Sequence, residues 1–195
     1  GKARREGLMS IEADIERPES SPAFTMARRL ARDKTAVAFI CDTLRVFLVT
    51  GDAPEIEQLM DLDMQAIQLQ AASPGHNLGK VAESLPGLGI VAAVLGVVLT
   101  MGKISQPPEV LGHSIGAALI GTFLGVLLCY GFVGPLATNL ENQAMERQTF
   151  FGVIRAVIAG AARGATPLIA VEYGRRAVPE ALRPSFTDLE SLLRG

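Results

Sequence analysis

Two stretches without a single charged side chain constrain this chain more than anything else in it. The first covers 84–102 and reads SLPGLGIVAAVLGVVLTMG; the second covers 114–140 and reads SIGAALIGTFLGVLLCYGFVGPLATNL. Each exceeds the roughly 18 apolar residues that a helix needs to cross a bilayer. Only a polar elbow, KISQPPEVLGH at 103–113, separates them. A buried helix of a soluble protein can look like one such run. Two in tandem across so short an elbow predict a helical hairpin in a membrane.

The faces of these helices say more than their hydrophobicity. At helical spacing the first carries Pro86, Gly89, Ala93, Gly96 and Thr100 in one stripe, with Ala92 beside it. The second aligns Ala118, Thr122, Gly125 and Cys129, with Gly121 adjacent. Small side chains let backbones approach, which is how helices associate where lipid offers no hydrophobic drive. A small face bearing a threonine suits close packing, and it also suits a narrow polar passage against another helix. Neither span holds Asp, Glu, Lys or Arg. Ion pathways through membranes usually use an ionisable group, so a proton path along this hairpin needs a carboxylate from another chain.

The remaining composition excludes several classes. A net charge of −2 carries no nucleic-acid signature. The two cysteines, Cys41 and Cys129, form neither a disulfide framework nor a C-x-x-C metal motif. No nucleophile sits near a base at a recognised spacing, and no glycine-rich phosphate loop follows a strand, so we expect no enzyme, no metal and no cofactor. The acids between Asp52 and Asp63 read as a solvated helix face rather than as metal ligands. The chain starts at Gly1 with charged residues instead of Met and an apolar leader, which reads as an internal start.

Basic residues set the expected orientation. Ten Lys and Arg precede position 84, seven follow 140 and one, Lys103, lies in the elbow. Both ends are therefore expected in the cytoplasm and the elbow outside.

The flanking segments read as helices. Residues 1–17 suit a helix end or docking segment that stops near Pro18. Ser20, Ser21 and Pro22 cap a helix running through Met26, Leu30 and Ala31. A helix over 37–49 ends at Gly51 as C-cap. The next begins at Asp52 and Pro54, turns Ile56, Leu59, Met60 and Ile67 inward, and breaks at Ser73, Pro74, Gly75 and Asn77. After Leu140 an amphipathic helix presents Phe150, Val153, Ile154, Val157, Ile158 and Ala161, suiting either the membrane interface or, preferably, cytoplasmic packing. Gly164 and Pro167 end it; a short helix, a loop over 179–184 and a last helix capped at Ser185 or Thr187 follow. The expected fold is all-α: a helical cytoplasmic domain over 1–83, a transmembrane helix over 84–102, a periplasmic elbow over 103–113, a second transmembrane helix over 114–140 and a cytoplasmic helical tail over 141–195.

Several of these segments carry a resemblance. SLPGLGIVAAVLGVVLTMG, GTFLGVLLCYGFVGPLATNLE and PLIAVEYGRR with RPSFTDLE resemble the third and fourth membrane helices and C-terminal tail of the MotA family of flagellar stator subunits. LMSIEADIERP and DTLRVFLVTGDAPEIEQLMD resemble that family's large cytoplasmic loop. The segments come in family order and cover nearly the whole chain. The resemblance implies two further membrane helices upstream. It also implies a pentameric ring in the bacterial inner membrane around MotB, whose aspartate carries the proton, and a push on the rotor protein FliG.

Residue by residue, Pro86 and Pro135 match the family's prolines at the cytoplasmic ends of the spans, where a missing N–H frees backbone carbonyls. Thr122 matches the threonine facing the ion path. Ala93 falls where sodium-driven relatives tend to carry a hydroxyl, so protons are the expected ion. Arg4 and Glu12 match the charged residues that meet FliG, and Glu83 is a candidate proton exit or an ordinary juxtamembrane acid. A related TolQ/ExbB-like energiser of outer-membrane processes is the alternative; GLGIVAAVLGVV and LLCYGFVGPLA fit MotA better than the GLLGTV-like motif of those relatives.

Overall fold

The computed structural model describes residues 7–194, and every regular element among them is helical. Short elements come first: a 3₁₀ turn at Leu8–Ile11, α1 at Glu12–Glu16, a second 3₁₀ turn at Pro18–Ser20, α2 at Pro22–Met26 and α3 at Arg28–Arg32. Long ones follow: α4 at Lys34–Thr50, α5 at Ala53–Met101, α6 at Pro108–Leu128, a π segment at Cys129–Val133 and α7 at Gly134–Ala162. The chain closes with α8 at Pro167–Ala177 and α9 at Phe186–Arg194. Two compact units result: residues 7–68 with 146–194, and residues 69–145.

In the first unit, caps cut the helices where the sequence offers them. Ser21 accepts from the Ala23 amide at 3.2 Å to start α2, and Asp33 accepts from the Ala36 amide at 3.1 Å to start α4. Gly51 takes φ 65°, and its N–H closes α4 on the Phe47 carbonyl at 2.9 Å. Ser185 and Asp188 cap α9 reciprocally: the Asp188 amide donates to Ser185 Oγ at 3.1 Å, and the Ser185 amide donates to Asp188 Oδ2 at 3.3 Å.

One core joins α4, α5 and α7 through Phe39, Ile56, Met60 and Phe151, each at most 2% exposed. The Phe39 and Phe151 rings meet edge to face with centroids 5.3 Å apart, and the Arg147 guanidinium lies 5.4 Å from the Phe151 centroid. A second cluster gathers Ile15, Phe24 and Cys41.

Four expectations change here. The helix expected to run on from Ser21 past Leu30 is two helices, because Ala27 leaves the helical region at φ −94° and ψ 62°. Leu59 is not inward; it is 42% exposed while Ile56 and Met60 are sealed. The buried edge of α7 is centred one residue later than periodicity placed it, on Phe151 and not on the half-exposed Phe150. The physical reason is that α7 is packed on two sides. Phe151 and Ile158 meet the core, whereas Val153, Val157 and Gly160 meet α8 at Gly174, Ala170 and Tyr173. An amphipathic reading assumes one buried face, and this helix has two. Finally, the acids of α5 are not simply solvated: Asp61 pairs with Arg155 at 2.6 Å, and Glu57 pairs with Arg163.

The second unit is the hairpin, and its largest departure from expectation lies at 73–77. No break occurs there: α5 is continuous through both Pro74 and Pro86. A proline inside a helix removes one hydrogen bond and crowds the carbonyl four residues back. Neighbouring helices make that tolerable in membrane segments. Here the adjacent Gly75 is buried against α7, and a Cβ on it would sit 2.8 Å from Glu141 Cγ and 3.3 Å from the Ala137 carbonyl. What reads as turn chemistry is a point of helix contact.

Two helical stretches, Ala53–Met101 and Pro108–Ala162, contain windows long and apolar enough to cross a membrane. Only 11% and 17% of those windows are buried within the chain, unlike the core helix of a soluble fold, which is mostly buried. Leu88, Val91, Leu95, Val98, Leu119 and Phe123 all stand more than half exposed. An apolar surface of that extent suits hydrocarbon, not water. The fold is that of an all-α membrane protein.

Candidate ion-path face of the hairpin

The two small-residue stripes meet each other inside the hairpin. A Cβ on Gly89 would lie 2.6 Å from the Gly121 carbonyl oxygen and 3.1 Å from Thr122 Cα. On Gly125 it would lie 2.5 Å from the Leu85 carbonyl oxygen and 3.2 Å from Gly89 Cα; on Gly96, 2.5 Å from Ala118 Cβ. The first two are approaches to backbone and the third to a Cβ, none of which can rotate away, so glycine is required at these crossings.

Thr122 lies on this seam. Its hydroxyl points across the hairpin and donates to the Gly89 carbonyl over 3.4 Å, a long and therefore weak bond. Thr100, nearer the elbow, is 5% exposed and spends its hydroxyl on the Gly96 carbonyl of its own helix at 2.8 Å. Ala93 is half-buried in the same patch: a Cβ on Gly121 would come 3.0 Å from Ala92 Cβ and 3.8 Å from the Ala93 amide nitrogen. Pro86 is half-buried one residue beyond Leu85, whose carbonyl meets Gly125. Thr122, Ala93 and Pro86 thus share one seam.

Pro135 and Glu83 are both exposed and lie off the close crossing. Glu12 is exposed in the first turn of α1, in the other unit. Arg4 falls outside the described residues.

Just before Pro135, five residues, Cys129–Val133, wind as a π-helix whose Gly134 N–H bonds the Cys129 carbonyl. A Cβ on Gly134 would stand 2.7 Å from that same oxygen, so the wider turn needs glycine there. Pro135 brings no N–H to the carbonyl four residues back, and the wider turn re-routes the bonding around it. Hydropathy and stripe reasoning missed this segment. The only signal was the GPL tripeptide, a glycine directly before an intramembrane proline.

Polar chemistry outside the spans is structural. Glu172 is gripped by Arg175 at 2.6 Å and Arg176 at 2.8 Å, which holds its carboxyl down at about 2. Arg175 also donates to the Pro184 carbonyl at 3.0 Å, and Arg183 to the Val178 carbonyl at 3.0 Å, tying α8 to the following loop. Burial is the main cause that raises the Cys41 thiol above its usual range. Among the described residues no three of His, Cys, Asp and Glu converge as metal ligands.

Comparison with known proteins agrees along the whole chain. Residues 31–152 match the model of the MotA/TolQ/ExbB proton channel family. Motility protein A of Escherichia coli strain K12 is 40% identical over all of this chain and 66% of its own length. Chemotaxis protein LafT of Vibrio parahaemolyticus is 33% identical over 98% of this chain and 67% of its own. The chain therefore spans about two thirds of the length of these curated relatives. Among solved structures, C. jejuni MotAB superposes with a TM-score of 0.75 at 21% identity, covering 94% of this chain and 66% of its own. The flagellar MotAB stator complex from Bacillus subtilis gives 0.70 at 24%, covering 92% and 63%. At those identities the structural likeness speaks for the fold, while the family match and the sequence identities carry kinship. The chain belongs to the MotA/TolQ/ExbB proton channel family.

Proposed function

We propose that this chain is the hairpin and cytoplasmic part of a flagellar stator subunit that, with a MotB partner, turns proton flow into torque on the rotor. The observation that carries the reading is the seam itself. Two spans without Asp, Glu, Lys or Arg close backbone to backbone around one cross-helix hydroxyl, Thr122. Such a seam offers a polar lining and shape but no proton carrier, so the titrating carboxylate comes from MotB. Identity to motility proteins along the entire chain supports the flagellar reading over the outer-membrane energisers that share the family.

Within this reading Thr122 lines the path and Ala93 leaves no oxygen to replace sodium's hydration shell. Pro86 and Pro135 free carbonyls near the cytoplasmic exit, where Glu83 receives or releases protons. Arg4 and Glu12 meet complementary charges on FliG, acting through steering and registry more than through affinity. Both ends of the chain lie in the cytoplasm of a multi-pass inner-membrane protein, the elbow outside, and subunits form a pentameric ring.

The test uses the full-length protein carrying this chain, co-expressed with its MotB in a motile strain lacking stators. Swimming that needs no sodium, stops with a protonophore and is lost in Pro86→Leu is expected. Loss in Arg4→Glu, regained by a charge reversal on FliG, places the rotor contact. A well-expressed complex that never restores swimming contradicts the reading.

A further inference from the structure

The two arms of the hairpin bury their contact residues at different steps. Within residues 69–145, α5 buries Gly75, Ala82 and Gly89, each seven positions from the next. Seven residues of an α-helix fall within about 20° of two full turns, so these three form one straight stripe. On the facing arm Ala118 and Gly125 are buried seven apart, and so are Ala137 and Ala144. Between the two pairs, from Gly125 to Ala137, the step is twelve. In an unbroken α-helix eleven residues return to the same face, and a twelfth overshoots it by about 100°. Leu136 would then meet α5, and Ala137 would turn away. The structure shows the reverse: Ala137 is 4% exposed and Leu136 is 56% exposed. Ala137 also meets the stripe directly, its carbonyl oxygen 3.3 Å from where a Cβ on Gly75 would sit.

The residue in excess is taken up between the two pairs by the π segment at Cys129–Val133. A ring closed i→i+5 holds one residue more than a ring closed i→i+4. Pro135 does not by itself demand that wider turn, because α5 runs as α-helix through both Pro74 and Pro86. Gly134 is what permits it. The Gly134 N–H closes the wide ring on the Cys129 carbonyl, and a Cβ there would stand 2.7 Å from that oxygen. Any other side chain at 134 therefore works against π winding and favours α.

We propose that the π turn is a phase corrector built into the second span, with Gly134 as its positioning residue. It stores one residue, so that the stretch with Ala118 and Gly125 and the stretch with Ala137 and Ala144 lie on the same α5 stripe. Closing it to α without removing a residue turns residues 134–145 by about 100° and sets Leu136 against Gly75. The turn thereby fixes the angle between the half of the helix that carries Thr122 and the half that begins at Pro135. The inference rests on the geometry of the hairpin and does not depend on the flagellar reading.

The test is thermal unfolding of the intact protein carrying this chain, purified from membranes in mild detergent and followed by the folded fraction that survives heating. Gly134→Ala should lower the midpoint. Deleting Gly131, an exposed residue inside the turn, should leave the midpoint near that of the wild type. That deletion removes the residue in excess and lets the span wind as α in the same phase. Combined with Gly134→Ala, it should bring the midpoint back up. If Gly134 served local packing only, the deletion would add to the damage instead of repairing it. Deleting Val94 from α5, where no wide turn can absorb the change, should lose the folded protein. Three results overturn the proposal: Gly134→Ala unfolding at or above the wild-type midpoint, a Gly131 deletion that is as harmful as Gly134→Ala or fails to rescue it, and a Val94 deletion tolerated as well as that of Gly131.

Discussion

The two units of this chain are inverted with respect to each other. In residues 7–68 with 146–194, the bulky apolar side chains of Phe39, Ile56, Met60 and Phe151 are sealed inside. There Arg45, Arg147, Arg155 and Arg163 lie outside in pairs with acids. In residues 69–145 the interior is glycine and alanine backbone, and Leu, Val, Ile and Phe face outward. Both arrangements are helical, and α5 and α7 contribute residues to each. Hydrophobicity alone does not say which side chains hold a helix pair together. In water, burial of large apolar groups stabilises the pair. In lipid that gain vanishes, and contact itself, which only small residues permit, takes its place.

The contrast yields an ordered set of substitutions. Phe151→Ala removes the largest sealed side chain and should cost about 3–5 kcal/mol of the stability of the unit built from residues 7–68 and 146–194, read as a lower denaturant midpoint at unchanged slope. Gly125→Val places a Cβ against the Leu85 carbonyl and Gly89 Cα. It should cost at least the ~1–3 kcal/mol of an overpacked core, seen as loss of a disulfide between cysteines engineered at the facing positions 92 and 121.

Thr122→Val is a sharper probe. Its bond is long, so stability should change by no more than about 0.6 kcal/mol, while proton-driven swimming, on the proposed role, falls steeply and returns in Thr122→Ser. A stability loss as large as the motility loss would make Thr122 a packing residue only.

Acid should act on α8 through Glu172. Because Glu172 is held at about 2 in the folded chain, against an ordinary value of 4.5, its unfolded form binds protons more readily. Its contribution is whole above about 4.5, is lost progressively as pH falls, and is gone below about 2. The anchoring of α8 should weaken over that window, read by proteolysis after Ala177, and Glu172→Gln should flatten the dependence. Smallest of all, Val98→Ala on the outward face should stay within about 0.5 kcal/mol, the range of ordinary surface changes. A larger effect would mean that something other than lipid covers that face.

Much of the architecture was legible because it rests on local chemistry. Charge-free runs gave the spans, Gly51 and Gly164 the helix ends, and Ser185 the last cap. Small residues at helical spacing gave the seam, since the stripe that packs is the stripe that the spacing predicts. Four things were not legible, each for a physical reason. Pro74 and Gly75 carry turn propensity, but a neighbouring helix overrode it. The face of α7 was blurred because two partners bury two sides of it. The π segment before Pro135 leaves almost no trace in composition, because a one-residue change in hydrogen-bond register keeps the same residue types. The pairing of Glu57 and Asp61 with arginines about a hundred positions away is a tertiary fact that no local window contains.

On the proposed function, this hairpin shapes a proton path but carries no protons without a partner's carboxylate. Proton flux into vesicles under an imposed gradient tests it most directly, comparing the full-length protein alone with the protein co-reconstituted with MotB. We predict no flux above empty vesicles for the protein alone and a protonophore-independent flux for the pair, reduced in Thr122→Val. Flux through the protein alone at the level of the pair would overturn the need for a partner's carboxylate.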